Sequence, residues 1–156
     1  MAKINKKQLD KYIKKSFNKI LKLTKKELPP VLKEEIIDNH ILKGKSPVDG
    51  EGRFDKYSKG YTRQIRKKKF KKYKKRTRPI NLKLSGDLID SFYIKPNWQN
   101  KFRIGFTDFK AKYHDKKGAG KGKKIRRMLP RDGEQFTSRI RRKVKNVFKN
   151  IIKRLS

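Results

Sequence analysis

The sequence predicts an α+β fold: a small antiparallel β-sheet packed with a long C-terminal helix and N-terminal helices, and carrying long basic loops. Three observations predict it. Apolar residues recur at three- and four-residue spacing at both ends of the chain, they alternate in the strand manner near the centre, and stretches dominated by Lys, Arg and Gly lie between. The expected organisation is an N-terminal helical segment over 1–42, a basic loop or arm over 43–79, and an α+β core with the C-terminal helix over 80–156. At 156 residues this is one domain with one modest core.

At the N-terminal end, Leu9, Tyr12, Ile13, Phe17, Ile20, Leu21 and Leu28 form one helical stripe opposite a lysine-rich face. Pro29 and Pro30 then interrupt the pattern, and Leu32, Ile36, Ile37 and Ile41 resume it. Proline lacks the amide that a helix interior uses, so a kinked or broken helical hairpin is expected, or one long helix. "KGKSPVDGEGRF", from Lys43 to Phe54, reads as a loop by its glycines and proline. From Arg63 to Arg78, eleven of sixteen residues are basic and none is acidic. Ile65, Phe70 and Tyr73 are too few to give that strip a core face, so it reads as a solvated arm or a contact strip for a polyanion.

In the centre, Ile80, Leu82 and Leu84 alternate, and Ser85 is placed to cap a short helix whose inner face is Leu88, Ile89 and Phe92. "FYIKP" and "KFRIGF" flank "NWQN" as a hairpin. Thr107 is placed to cap a second short helix, "DFKAKYH", and "IRRMLP" reads as a further short strand. Asp132 and Gln135 fit a capping box for the last helix. Its stripe of Phe136, Ile140, Val144, Val147, Phe148, Ile151, Ile152 and Leu155 implies ~24 residues and a length of ~36 Å.

The charge narrows the partners. With 49 Lys and Arg against 14 Asp and Glu, the formal net charge is +35, which repels itself and attracts DNA, RNA, anionic membranes or acidic proteins. No cysteine is present, which excludes disulfides and thiolate chemistry. No secretory h-region follows the basic start, and no apolar run approaches ~18 residues, so a soluble protein made in a cytoplasm is expected.

"YHDKKGAGKGKK", from Tyr113 to Lys124, looks chemical. It has neither the glycine spacing nor the hydroxyl of a Walker A loop, so a flexible surface loop is the better reading. Adjacent residues point in different directions, which makes Asp115 a poor orienter for His114 as a general base. His40, the only other histidine, sits on an apolar helical face and reads as structural. Asp49 and Glu51 are the only candidate nuclease ligands, and both fit a polar turn. Nucleic-acid binding has more support: the 63–78 strip offers many phosphate contacts, with Phe70 and Tyr73 for stacking, although no named RNA-binding motif is present. The contact residues expected from the two basic loops, toward an acidic protein surface or DNA, are Arg66, Lys67, Lys68, Lys69, Lys71 and Lys72 in the first. In the second they are Lys121, Lys123, Lys124, Arg126 and Arg127. No catalytic residue, metal or cofactor is expected.

Four pieces in order carry a family resemblance: "LKLSGDLIDSF", "FRIGF", "AKYHDKKG" and "IRRMLP". Together with the upstream "GEGRFDKYSKGYTRQIRKKK", they resemble the tailed-phage virion-morphogenesis and tail-completion family over residues 45–155, most closely over 80–131. The run at 63–78 is more basic than that family's pattern, and "MLP" stands in place of a Phe-Leu-Pro type ending. The resemblance implies a non-enzymatic virion protein at the head–tail junction, in the neck or completing the tail. It would be made in the host cytoplasm and act as a homo-oligomeric ring. The implied partners are portal, adaptor or tail proteins and the genome end, with no membrane. Within the chain it makes Tyr113, His114 and Pro130 anchors at the base of the second basic loop, with the long loops 43–78 and 114–127 left for neighbouring subunits to order.

Overall fold

The structure, a computed structural model, describes residues 5–71, 75, 77–78, 80, 82, 86–97, 101–118 and 123–155. It is an α+β arrangement in which a two-stranded antiparallel sheet packs with a long N-terminal and a shorter C-terminal helix. Helix α1 runs from Lys6 to Lys33, started by Asn5, whose side chain accepts the Lys7 amide at 3.1 Å. Pro29 and Pro30 lie inside it, so of the two expected alternatives the long helix is the one that forms. The carbonyls that lose a partner are those of Lys25 and Lys26, both exposed residues, while Leu28 and Leu32 on either side are buried and hold the helix to the core.

A π-helical turn, Glu34–Asp38, follows, and buries three consecutive residues, Glu35, Ile36 and Ile37. A 3-10 turn, Ile41–Lys43, ends at Gly44 in the left-handed region (φ 72°). A Cβ on Gly44 would stand 3.0 Å from the Ile80 carbonyl oxygen, so glycine permits this close backbone approach. The loop after Gly44 is packed and does not wait for a neighbour to order it. Ser46, Pro47, Val48 and Phe54 are buried, Lys45 bridges to Arg53, and Val48 bridges to Phe136. Ser58 then caps helix α2, Lys59–Arg66, by accepting the Tyr61 amide. Ile65 is buried despite its basic neighbours, because one apolar residue per two turns is enough to seat a short helix.

Gly86 (φ 118°) stands at the start of helix α3, Asp87–Asp90, and the expected cap Ser85 lies outside the described residues, as does Leu84. Strand β1, Phe92–Pro96, pairs with β2, Phe102–Phe106, in the register Phe92↔Phe106 to Pro96↔Phe102. Helix α4, Lys110–Lys112, starts at Asp108, which accepts the Lys110 amide, rather than at Thr107. It runs into a π-helical turn, Tyr113–Lys117. Residues 125–130 form no strand; they are held by hydrogen bonds from the Arg126 amide to the His114 carbonyl (2.7 Å) and from the Met128 amide to Asp115 (2.7 Å).

Helix α5 is Ser138–Lys153, sixteen residues and so ~24 Å long, shorter than expected. The capping box does not form: the helix begins only after Thr137, and the Gln135 side chain accepts Arg141 Nη1 at 2.6 Å, while Glu134 takes Arg127 and the Arg131 amide. The core joins Leu28, Leu32, Ile36, Ile37, Ile41, Phe54, Ile80, Leu82, Leu88, Ile89, Phe92, Met128 and Ile140. The first half of the α1 stripe is not part of it: Leu9, Tyr12, Ile13 and Phe17 are exposed, as are Phe148 and Ile152 on α5.

Candidate partner-binding surface

The basic strip begins on α2. Arg66, Lys67, Lys68, Lys69 and Lys71 are all exposed and enter no ion pair among the described residues, whereas Lys72 and Lys121 lie outside those residues. Lys68 holds a positive φ of 57° where the helix gives way to a turn. Phe70 is half-buried and its ring lies 5.3 Å from that of Tyr61, which in turn meets Tyr57 edge-on at 5.0 Å. Phe70 is thereby engaged within the chain and not free to stack on a base; Tyr73 lies outside the described residues.

The second loop divides differently from the sequence expectation. Lys123 is exposed and Lys124 reaches Asp55 at 3.7 Å. Arg126 and Arg127 turn inward and do not serve as surface contacts. Arg126 is 5% exposed, with its guanidinium 5.7 Å from the centre of the Tyr57 ring and Nη2 3.4 Å from the Asp55 carbonyl. Arg127 pairs with Glu134 and lies 3.9 Å from Asp115. A long side chain beside aromatic rings gains more by covering them than by standing in water, which a local run of charge does not reveal.

Behind the strip, Arg126, Lys75 and His114 gather around Tyr57 and Tyr61. Lys75 Nζ stands 5.2 Å from the centre of the Tyr57 ring. Burial, then the charges of Arg126 and Lys75, pushes His114 down to about 4, with Asp108 opposing. Burial and Arg126 bring Lys75 down to about 8. Burial raises the phenols of both Tyr57 and Tyr61, and Arg126 opposes it. Arg126 Nε and His114 Nδ1 are buried without a hydrogen-bond partner among the described residues. Asp55 acts on Arg126 and Asp108 on His114, each opposing the effect of burial. Tyr57 and Tyr61 were not foreseen, although their four-residue spacing about a Ser cap is visible in "KYSKGYTRQIR".

Of the expected anchors, His114 is half-buried and its carbonyl holds residue 126. Pro130 is half-buried. Tyr113 is 48% exposed and contacts Phe109 and Lys117, so it does not pin the loop to the core. Gly118 takes that role: at φ 77° it lets the Lys123 backbone approach where any Cβ would collide.

The chemical candidates take structural roles. Asp115 faces the Met128 and Leu129 amides, not the His114 ring. Asp49 is bound by Arg141 at 2.8 Å, and no group of three His, Asp or Glu side chains among the described residues could hold a metal ion. No helix among the described residues is long and apolar enough to cross a membrane. Comparisons with protein-family profiles, with curated proteins and with solved structures returned no match.

A second buried polar centre joins the two ends of the chain. Glu35, 1% exposed, accepts Arg139 Nε at 2.8 Å and Asn39 Nδ2 at 3.2 Å, with Lys143 at 3.9 Å. Burial pushes its carboxyl up, but the Arg139 hydrogen bond and the charges of Arg139, Lys143 and His40 outweigh that and hold it below the usual range. His40 is buried between the Glu35 carbonyl (2.6 Å) and Thr137 Oγ1 (3.1 Å), the structural role its sequence position suggested.

Proposed function

We propose that this chain is a structural virion protein of a tailed bacteriophage, a tail-completion, terminator or neck component that works by ring assembly at the head–tail junction and catalyses nothing. The observation that carries the reading is the ordered signature "LKLSGDLIDSF", "FRIGF", "AKYHDKKG", "IRRMLP". Its described parts lie on consecutive, mutually bonded pieces: α3 and β1, then β2, then the α4 turn, whose His114 and Asp115 hold residues 126–129. A net charge of +35 opposes a ring of identical copies, so closure needs acidic protein surfaces or the genome end to neutralise it. Arg66 to Lys71 and Lys123 are the side chains available for that contact.

The test is location. Labelling this chain in intact particles, followed by electron microscopy, is expected to mark a ring between capsid and tail. Label confined to packaged DNA, or absent from particles, overturns the reading. A second reading, a nucleic-acid-binding protein acting alone, is favoured by the exposed, unpaired lysines of the 66–71 strip. It expects tight DNA binding by a monomer, with a log–log salt slope of ~0.9 for each phosphate neutralised and no association with connector or tail proteins.

A further inference from the structure

In an antiparallel pair, opposed residues alternate between those that exchange hydrogen bonds and those whose amides and carbonyls point away from the partner strand. The Asn97 amide donates to the Lys101 carbonyl at 2.6 Å, and the Thr107 amide to the Ser91 carbonyl at 3.0 Å. Odd-numbered positions therefore face the partner strand, and Phe102, Ile104 and Phe106 turn their amides and carbonyls outward from β2. No described residue takes them. On the other edge of the sheet the equivalent position near the end of β1 is Pro96, which has no amide and blunts that edge.

The side chains of the same three residues wall a groove. One part, about 420 Å³, is lined by Phe102, Ile104, Leu129, Pro130 and Phe136 and is open to solvent. The next, about 240 Å³, is lined by Phe106, Ala111, Met128 and again Leu129. An unpaired strand edge beside an apolar groove has the shape that accepts an added strand: the main chain supplies hydrogen bonds, and alternate side chains fill the groove.

Charge selects the occupant. Of the ionised groups lining the groove, Arg141 is held by Asp49, Asp115 by the Met128 and Leu129 amides, and Glu134 by Arg127. The two that remain, Lys112 and Lys116, are exposed and in no ion pair among the described residues. A second copy, at +35, is repelled. We propose that the outer edge of β2 and the groove beneath it bind an extended segment of an acidic partner protein, apolar at alternate positions and acidic at those between. This holds for any such partner and does not rest on the virion reading.

The test uses the whole chain and a fluorescent peptide of about ten residues alternating valine and glutamate, at ~150 mM salt, where long-range attraction is largely screened. A peptide of the same composition in block order controls for charge. Binding of the alternating peptide is expected to be at least ~10-fold tighter than the block peptide, and to lose that advantage when its edge-pairing amides are N-methylated. It should slow amide exchange at Phe102, Ile104 and Phe106, and Leu129→Ala should weaken it. Because the N-methylated peptide leaves the protein unaltered, the result does not depend on a variant folding. Equal binding of the two peptides, protection elsewhere in the chain, or the same protection in a peptide-free dimer overturns the proposal.

Discussion

The two buried polar centres differ in how their charges balance. Around Glu35 one carboxylate meets Arg139, Lys143 and Asn39, with His40 clasped by Thr137 alongside, so the buried charge has cations and donors to meet it. By contrast, Arg126 and Lys75 stand by the Tyr57 ring and their charges act on His114, and Arg126 Nε and His114 Nδ1 have no hydrogen-bond partner among the described residues. The first centre ties the start of α5 to the end of α1 and contributes to stability. In the second, burial and the neighbouring charges keep the His114 ring neutral at pH 7, while Arg126 and most of Lys75 stay charged, so His114 is its acid-sensitive group.

The largest expected effect breaks the second centre with acid. His114 takes its proton near 6.5 when unfolded and about 4 when folded, so the unfolded state binds more protons between those values. Stability is full above the upper value and falls as pH drops toward the lower one, by up to about 3 kcal/mol at 1.36 kcal/mol per unit. Denaturant melts at pH 7, 5.5 and 4 measure it, and His114→Phe should flatten the slope. Lys75 acts with the same sign at alkaline pH: stability rises with pH between about 8 and its ordinary 10.5.

A smaller effect sharpens the first centre. Glu35→Gln keeps the shape but removes the charge that Arg139 meets, and is expected to cost about 2 kcal/mol in urea unfolding. Its acid response is also separate: the Glu35 carboxyl is held low, so its contribution is lost only as pH falls through that lowered value, beneath the 4.5 of the unfolded chain. The smallest effect lies outside both centres. Leu9→Ser with Phe17→Ser, on the exposed half of α1, should change stability by less than about 0.5 kcal/mol.

These centres also show where sequence reasoning reached and where it stopped. The hairpin was legible because alternation is local, and Phe92–Pro96 paired with Phe102–Phe106 follows it. The choice between a broken hairpin and one long helix at Pro29 and Pro30 was left open, because the lost hydrogen bonds fall on exposed lysines that no pattern marks as harmless. Asp132 and Gln135 looked like a cap, but the helix starts only at Ser138 and the Gln135 side chain accepts Arg141 instead. Arg126 looked like one more surface cation, and only Tyr57 and Tyr61, more than sixty residues earlier, make it an interior one.

The contrast between the two centres is tested most directly by NMR titration of the His114 ring, which is tractable because the chain has only two histidines. A value of about 4 is predicted for the folded protein. A value at or above 6.5 would mean that the ring is neither buried nor crowded by Arg126 and Lys75, and would contradict the account.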